Sequence, residues 1–241
     1  MKYRHIKGPL YGPNPKHSLT RYEYRVYSQN GEDGILAEIF RRLKIRKGFS
    51  VEFGVEDGTE CNTRYLGEQG WQTLMLDGAD YNKSSIKKEL ITAENIGKVF
   101  AKYGVPADLD LLSIDIDSND YWVWKALPST YKPRVVVIEY NSMISPTEPL
   151  TVRYDKKLQW DGSNYFGAGI LALATLGKEK GYNLVCCDSR GVNAFFVRQD
   201  LSSKFQPLTA GEAYRAPLFG TSDKYGNHLG HPASSKKMQR L

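Results

Sequence analysis

The sequence predicts an α/β protein, a three-layer sandwich in which helices cover both faces of a mostly parallel seven-stranded sheet that ends in an antiparallel hairpin. Short apolar runs rich in β-branched residues alternate with segments of helical periodicity, which is typical of strand-helix-strand units. The run at residues 134–138 is almost entirely β-branched, which indicates a strand buried on both faces, as in a parallel sheet. Two final apolar runs, at 182–187 and 192–197, flank a short polar turn and predict the hairpin.

Length and composition favour one soluble domain. A chain of 241 residues is long enough for a substantial core, and it has no apolar run close to the eighteen residues that a membrane-spanning helix needs. The first residues are not followed by the apolar segment of a signal peptide, so we expect a cytoplasmic protein. Cys61, Cys186 and Cys187 are odd in number and lack Cys-x-x-Cys spacing, which predicts reduced structural thiols.

The formal net charge of +6 raises the question of nucleic-acid binding. The basic residues are dispersed, however, and cluster only at residues 41–47 and 236–240. The first cluster fits the solvated end of a helix, whose dipole favours cations there. A basic surface would equally suit an acidic or phosphorylated substrate, so we consider a nucleic-acid partner unlikely.

The chain is expected to begin with an extended arm, residues 1–26, whose first part is rich in Pro, Gly, Lys and His and lacks periodicity. A helix should begin near residues 31–33, because apolar residues follow at helical spacing. Gln29, just before it, is a turn or cap residue on pattern alone. The main domain is predicted to span residues 27–213. Residues 214–241 form a tail rich in Gly, Ser and Lys, which we expect to be mobile or to contact a second copy in a homo-oligomer.

The central stretch is Ser50-Val51-Glu52-Phe53-Gly54-Val55-Glu56-Asp57-Gly58, which predicts a strand and a tight turn, followed by a helical segment that contains Asn62 and Thr63. Glycines there allow the backbone to approach a ligand closely, and the carboxyl ends of such strands form the binding crevice of doubly wound sheets. An ordinary strand-to-helix turn remains the alternative.

The second strand, residues 71–76, ends in Asp77-Gly78, where Rossmann-like folds place the carboxylate that accepts the ribose hydroxyls of a nucleotide. Beyond it we predict a helix at 82–88, a short strand at 89–93 and a helix at 96–103. The tip of that third strand, with Ala93 and Glu94, would lie beside the adenine.

The fourth strand, 111–114, and the fifth, 134–138, both end in acidic residues. Side chains two apart on extended chain share a face, so Asp115 with Asp117, and Glu139 with Asn141, could present paired oxygens. Such a set suits Mg²⁺, Mn²⁺ or Ca²⁺. Two alternatives stay open: Asp117 or Asp120 acts as a general base without metal, or these residues only cap loops and helices.

Residues 142–159 are predicted to form a long loop, followed by Trp160-Asp161-Gly162-Ser163-Asn164-Tyr165-Phe166-Gly167 and a helix at 168–180. Aromatic faces beside short polar groups are typical of sugar sites, although a structural turn would use the same residues. Five strand-helix repeats closed by an antiparallel hairpin match the Rossmann-like plan of class I methyltransferases.

Four segments then carry a family resemblance: residues 27–33, residues 51–58 with Cys61-Asn62-Thr63, residues 76–78 and residues 112–117. In order and spacing they resemble the FkbM-type S-adenosylmethionine-dependent methyltransferases, especially the sugar O-methyltransferases of large algal viruses. The likeness spans residues 27–198. One departure is that many FkbM-type sequences have Asp-x-Glu-Gly where this chain has Asp115-Ile116-Asp117-Ser118, so the acceptor pocket or metal site is expected to differ.

The resemblance implies transfer of a methyl group from S-adenosyl-L-methionine to a hydroxyl of a sugar or glycan, in the cytoplasm, or in the host cytoplasm if the protein is viral. It implies three groups of site residues. The cofactor would contact Gln29, Glu52, Gly54, Val55, Gly58, Asn62, Asp77, Gly78, Ala93, Glu94 and Asp115. A divalent ion, Mg²⁺ or Mn²⁺, would bind Asp115, Asp117, Glu139 and Asn141, with Asp117 and Asp120 as catalytic carboxylates. The acceptor would contact Tyr140, Trp160, Asp161, Asn164 and Tyr165.

Two other functions remain. A nucleic-acid methyltransferase would share the cofactor half, but residues 139–142 lack the Asn/Asp-Pro-Pro-aromatic tip of amino-methylating enzymes. A non-catalytic module would bind a nucleotide or glycan without turnover. His228 and His231 would be further candidate bases only if the tail folded over the site, which its composition argues against.

Overall fold

A seven-stranded sheet organises the protein, in the order β3-β2-β1-β4-β5-β8-β7. The structure is a computed structural model that describes residues 18–241, the side chain of Leu229 excepted, so most of the predicted N-terminal arm lies outside the described residues. Strands β1 to β5 are parallel, and β8 runs antiparallel between β5 and β7. The strands of the sheet are β1 (Phe49–Phe53), β2 (Gln72–Asp77), β3 (Ile86–Lys88), β4 (Leu111–Ile114), β5 (Val135–Glu139), β7 (Tyr182–Cys187) and β8 (Asn193–Arg198).

Helices cover both faces of this sheet, which confirms the predicted fold class. They are α1 (Glu32–Leu43), α2 (Arg64–Glu68), α3 (Ile96–Lys102), α4 (Asp120–Ala126), α5 (Ile170–Glu179) and α6 (Ala210–Ala213), with short 3-10 helices at Leu19–Tyr22 and Gln199–Lys204. In β5, Val136 and Ile138 belong to one apolar core while Val135 and Val137 belong to the other. Strand β5 is therefore buried on both faces, as its β-branched run predicts.

The third strand differs from the prediction. Residues 82–88 are not a helix and residues 89–93 are not a strand, because β3 is Ile86–Lys88, paired in parallel with the end of β2. It is an edge strand with only Ile86 buried, and its two exposed lysines are a common edge feature. A three-residue edge strand with one buried residue has too little apolar pattern to be predicted. The apolar pair Leu90 and Ile91 instead led to a strand being predicted a few residues later in the chain.

The chain beyond residue 213 forms three short strands, and one of them pairs with an earlier part of the chain. Strands β9 (Thr221–Ser222) and β10 (His228–Gly230) pair with each other, and β11 (Gln239–Arg240) pairs with β6 (Leu150–Thr151) inside the predicted long loop. Among the described residues, no helix has the length and apolar character that crossing a membrane requires. The three cysteines are buried and form no disulfide, as predicted.

Gly54 lies where the tips of β1 and β4 come closest. Its φ is +69°, and a Cβ built on it would lie 1.5 Å from the backbone oxygen of Asp115. Its amide donates a hydrogen bond to the backbone oxygen of Leu76, at 3.0 Å. Only glycine fits this position, because any side chain would push the two strand tips apart.

We therefore expect Gly54→Ala to lower the free energy of unfolding by about 3 kcal/mol or more, since strain from positive φ adds to a backbone clash. Gly104→Ala is the matched control, because Gly104 also has positive φ (+61°) but no atom within 4 Å of the added Cβ. The control should lose only about 1–2 kcal/mol. Equal losses in urea unfolding would show that the close approach at Gly54 is relieved by small shifts.

Candidate functional site

A cavity of about 650 Å³ lies at the carboxyl ends of β1, β4 and β5. A second cavity, of about 340 Å³, lies at the end of β2. Gly54, Glu56, Asp117 and Trp160 line both, so the two cavities adjoin along one edge of the sheet. This is the crevice where open α/β sheets bind ligands.

The larger cavity is acidic, although the whole chain is basic. The basic side chains that line it are those of Arg190, His228 and His231. The carboxylates that line it are those of Glu32, Glu52, Glu56, Glu60, Asp115, Asp117 and Glu139. This excess of negative charge favours a cationic or neutral ligand over an anionic one.

Three of these carboxylates form a cluster that could hold a metal ion. One oxygen each of Asp115, Asp117 and Glu139 lies within 4.8 Å of the others. Burial, and then repulsion from its acidic neighbours, raises the pKa of Asp115 and of Glu139 well above the ordinary values. In residues 18–241, Glu139 Oε2 is buried without a hydrogen-bond partner. Carboxylate oxygens are hard ligands, so the donor set fits Mg²⁺ or Mn²⁺.

Two acidic residues at this site hold unusual backbone conformations. Glu56 has φ +47° and Asp117 has φ +55°, a region that non-glycine residues rarely adopt. Such strain often accompanies functional sites, since the surrounding structure must hold the residue in place. Asp117 was predicted as a site residue from its position after the fourth strand, and Glu56 was not predicted. The positive φ of these two residues could not be predicted from their residue types.

Asn141 and Asp120 are not brought into the cluster. The Asn141 amide donates to the backbone oxygens of Asn164 and Phe166, at 2.9 and 3.0 Å, and its Oδ1 accepts from the Met143 amide. It is turned from Glu139 because β5 ends at that residue, so the extended alternation stops. Asp120 lines neither cavity.

Asp120 instead fixes the turn that carries Asp117. Its two carboxylate oxygens accept hydrogen bonds from the Ile116 and Ser118 amides, at 2.9 and 3.0 Å. Burial raises the pKa of Asp120 to about 6, against the opposing effect of these hydrogen bonds. The carboxylate therefore positions the strand tip rather than facing a ligand.

Glu52 has a similar positioning role at the start of α2. Its oxygens accept from the Asn62 and Thr63 amides, at 2.7 and 2.9 Å, and from the Thr63 hydroxyl. Asn62 in turn donates to the Ser113 hydroxyl on β4, at 3.0 Å. Both residues line the larger cavity, and Gln29 joins them there.

The second cavity combines a carboxylate with an apolar slot. Asp77 accepts hydrogen bonds from the Glu56 and Ala79 amides, both at 2.8 Å, so it holds the glycine-punctuated turn. Gly78, Leu90, Ile91 and Ile116 line the cavity beside it, and the Leu90 side chain is 63% exposed. A cavity that combines apolar side chains with a carboxylate suits a ligand that has both apolar and polar parts.

Four predicted cofactor contacts line neither cavity. Ala93 and Glu94 form hydrogen bonds with Tyr154. Because β3 ends earlier in the chain than predicted, residues 89–91 line the second cavity in their place. Val55 packs with Cys61 and Ile86 in a small core, and the Gly58 amide donates to the Val55 oxygen at 2.8 Å.

Among the predicted acceptor contacts, Tyr140 and Trp160 line the larger cavity, and the other three do not. Asp161 pairs with Lys236 at 2.8 Å, and Asn164 contacts residues 232 and 234 through its amide and its Oδ1. Tyr165 accepts from the Arg153 amide through its hydroxyl. These side chains hold neighbouring chain segments in place.

Sequence reasoning missed Leu218 and Phe219, and it argued against a tail that folds over the site and brings His228 and His231 to it. Leu218, Phe219, His228 and His231 line the larger cavity. Their segment has little periodicity, so the only available signal was its aromatic and imidazole content.

Behind the cavity lies a network of buried carboxylates. Glu23 accepts from the Ser189 amide and hydroxyl, at 2.7 and 2.6 Å, and Asp188 accepts from the Val192 amide at 3.1 Å. The Asn193 side chain donates to Glu32, which lines the cavity. Burial is the main cause that raises the pKa of Glu23 to about 7 and the pKa of Asp188 to about 8.

No family model and no curated protein matches the sequence. Among solved structures, the chain is similar to one described as the crystal structure of the small RNA methyltransferase HEN1, with a TM-score of 0.40 and 11% identity. The match covers 68% of this chain and 24% of that chain, so this protein spans about a quarter of the other's length.

Glu23 gives a pH-dependent prediction. Because its pKa is about 7 in the fold and 4.5 in the unfolded chain, its protonation stabilises the fold below pH 4.5, and that stabilisation is lost as pH rises through 7. Between pH 5 and 8 the free energy of unfolding should fall by about 2 kcal/mol more in the wild type than in Glu23→Gln.

Urea unfolding at several pH values measures this difference, with Glu179→Gln on the exposed end of α5 as control. The control should show the wild-type pH dependence. A Glu23→Gln variant with that same dependence would mean that Glu23 is ionised throughout the range.

Proposed function

We propose that the protein is an S-adenosyl-L-methionine-dependent O-methyltransferase that acts on a hydroxyl of a sugar or glycan, assisted by a divalent metal ion. The observation that carries this proposal is the pair of adjoining cavities at the carboxyl ends of the parallel strands. One has a carboxylate beside an apolar slot, and the other is acidic and contains the carboxylate cluster.

The second cavity suits the adenosine part of the cofactor. Asp77 retains lone pairs that can accept the ribose hydroxyls, and Leu90, Ile91 and Ile116 offer apolar faces to the adenine. Gly54, which lines both cavities, leaves room for the chain between ribose and sulfur. The acidic lining beyond it suits the positive sulfonium and ammonium groups of S-adenosylmethionine.

Asp115, Asp117 and Glu139 would hold the metal ion, since each contributes an oxygen to the same small space. A bound Mg²⁺ or Mn²⁺ would lower the pKa of the acceptor's hydroxyl. Asn141 is left out of this ligand set because its amide is committed to backbone partners.

In the proposed reaction the acceptor oxygen attacks the methyl carbon, and the carbon–sulfur bond breaks with its electron pair remaining on sulfur. The chain mainly aligns the two substrates and receives the hydroxyl proton. Asp117 is the proposed base, through the carboxylate oxygen that is not counted in the metal cluster. It lines both cavities, while Asp120 is buried in its turn. Without metal, Asp117 or Glu139 would accept the proton directly.

The acidic lining also bears on the rival functions. Phosphates of a nucleic acid would be repelled by the carboxylates of the larger cavity, so this observation does not favour a nucleic-acid substrate. A binding module without turnover would use the same cavities, and it is distinguished by the absence of methyl transfer.

Cofactor binding is the first test. We expect calorimetric titration with S-adenosylmethionine to show binding, and Asp77→Ala to weaken it by about tenfold or more, since the variant loses both the ribose contact and the anchor of the turn. Asp80→Ala is the control, because Asp80 lies nearby on an exposed loop outside both cavities.

A wild-type protein that gives no heat and no thermal stabilisation with S-adenosylmethionine would end the methyltransferase proposal. Equal weakening in Asp77→Ala and Asp80→Ala would instead show that the cofactor lies elsewhere.

Metal dependence is a separate test. In EDTA-treated protein, Mn²⁺ should bind, and Asp117→Asn should weaken that binding by about tenfold or more because it removes one carboxylate of the cluster. Asp57→Asn is the control, since Asp57 is an exposed partner of Lys83 outside the cluster. Methyl transfer that continues undiminished in EDTA would favour the metal-free version, with a carboxylate as the base.

A further inference from the structure

The end of the chain builds one wall of the larger cavity. This wall, defined here as Leu218, Phe219, His228 and His231, lies on the larger cavity and does not line the second one. The proposed cofactor uses the second cavity and the region of Gly54, so this wall lies on the side left for the acceptor. Its role is not explained by cofactor or metal binding.

Aromatic rings gather around His231 at this wall. The centroid of its imidazole lies 4.7 Å from the Trp160 ring, 5.1 Å from the Phe219 ring and 5.7 Å from the Phe166 ring. Burial lowers the pKa of His231, so the imidazole is neutral at physiological pH. Of these rings, Trp160, Phe219 and His231 line the cavity, whereas Phe166 is buried.

Two large apolar side chains at this side of the cavity are open to solvent. Trp160 is 39% exposed and Leu218 is also 39% exposed, so two large apolar side chains face water at the cavity. Exposed apolar surface next to an acidic cavity suits a ligand that has one apolar face and one polar face. A sugar ring has the same two-sided character, with C–H groups on its faces and hydroxyls around its edge.

The wall is held by specific contacts rather than by chance proximity. The His231 amide donates to the Met143 sulfur, and the Asn164 amide donates to the Pro232 oxygen at 2.9 Å. The Leu218 amide donates to the Arg190 oxygen, and the Arg190 guanidinium donates to the Leu218 oxygen at 3.2 Å. These two hydrogen bonds hold the wall against the loop that contains Arg190.

We propose that Phe219 and His231, together with Trp160, bind an uncharged sugar ring whose hydroxyls face the carboxylates of the larger cavity. This inference rests on the proposed function and deepens it by assigning the acceptor's charge class and the wall that binds it. Sugars carrying a phosphate or a carboxylate are disfavoured, because Glu32 and Glu56, which lie outside the proposed metal cluster, line the same cavity.

The test uses the full-length protein saturated with S-adenosylhomocysteine, so that no turnover occurs. The probes are the methyl glycosides of glucose, galactose, mannose and fucose, with glucuronic acid, galacturonic acid and the 6-phosphates of glucose and mannose as charged counterparts. Binding is measured by ligand-observed NMR titration. We expect at least one neutral glycoside to bind, and its charged counterparts to bind about tenfold or more weakly.

Substitutions then assign the wall. Phe219→Ala should weaken binding of that neutral glycoside by about fivefold or more, and affinity for S-adenosylhomocysteine should stay within about twofold. Tyr225→Ala is the matched control, since Tyr225 belongs to the same segment, is 78% exposed and does not line the cavity. If Phe219→Ala does not fold, Leu218→Ala replaces it, because Leu218 is already exposed at the wall.

The inference is overturned if no neutral glycoside binds, if charged sugars bind as tightly, or if Phe219→Ala and Tyr225→Ala have the same effect. Failure of the proposed function is seen separately, as absence of S-adenosylhomocysteine binding in the first titration. In that case the glycoside titrations of the free protein still decide whether the wall binds a neutral sugar.

Discussion

The close contact between Gly54 and the backbone of Asp115 is the constraint on which the rest of the site depends. The tips of β1 and β4 come together because the first has no side chain at this point. Asp115 and Asp117 are thereby brought to the edge of the turn that Asp77 holds from the other side. With a side chain at position 54, the two strand tips would be pushed apart and the acidic residues that follow β4 would be displaced.

Several carboxylates in this protein hold loops in place by accepting hydrogen bonds from backbone amides. Asp33 is a clear case, since one of its oxygens accepts hydrogen bonds from the amides of residues 26, 27 and 28, all at 2.8 Å. Glu52, Asp77 and Asp120 hold other turns in the same way. Each of these carboxylates pairs loop amides that would otherwise lack a hydrogen-bond partner, and this fixes the loops that surround the cavities.

The fold could be predicted from sequence because its signals are local: β-branched runs, helical periodicity and turn residues. The error at β3 arose where the signal fails, in an edge strand with one buried residue. For the site, strand-tip acids such as Asp115 and Glu139 were predictable, since parallel strands align their ends. Asn141 was misplaced because β5 ends at Glu139, two residues before it. The wall of the larger cavity was not predicted, because it depends on how a distant segment of the chain packs against the site.

The position of β8 has a consequence for how the chain becomes folded. Since β8 pairs with β5 on one side and β7 on the other, the edge of β5 has no partner until nearly the whole domain has been synthesised. A buried, β-branched strand with an open edge is prone to pair with other chains. During translation, the nascent parallel half would therefore be the stage at which chaperone protection matters most.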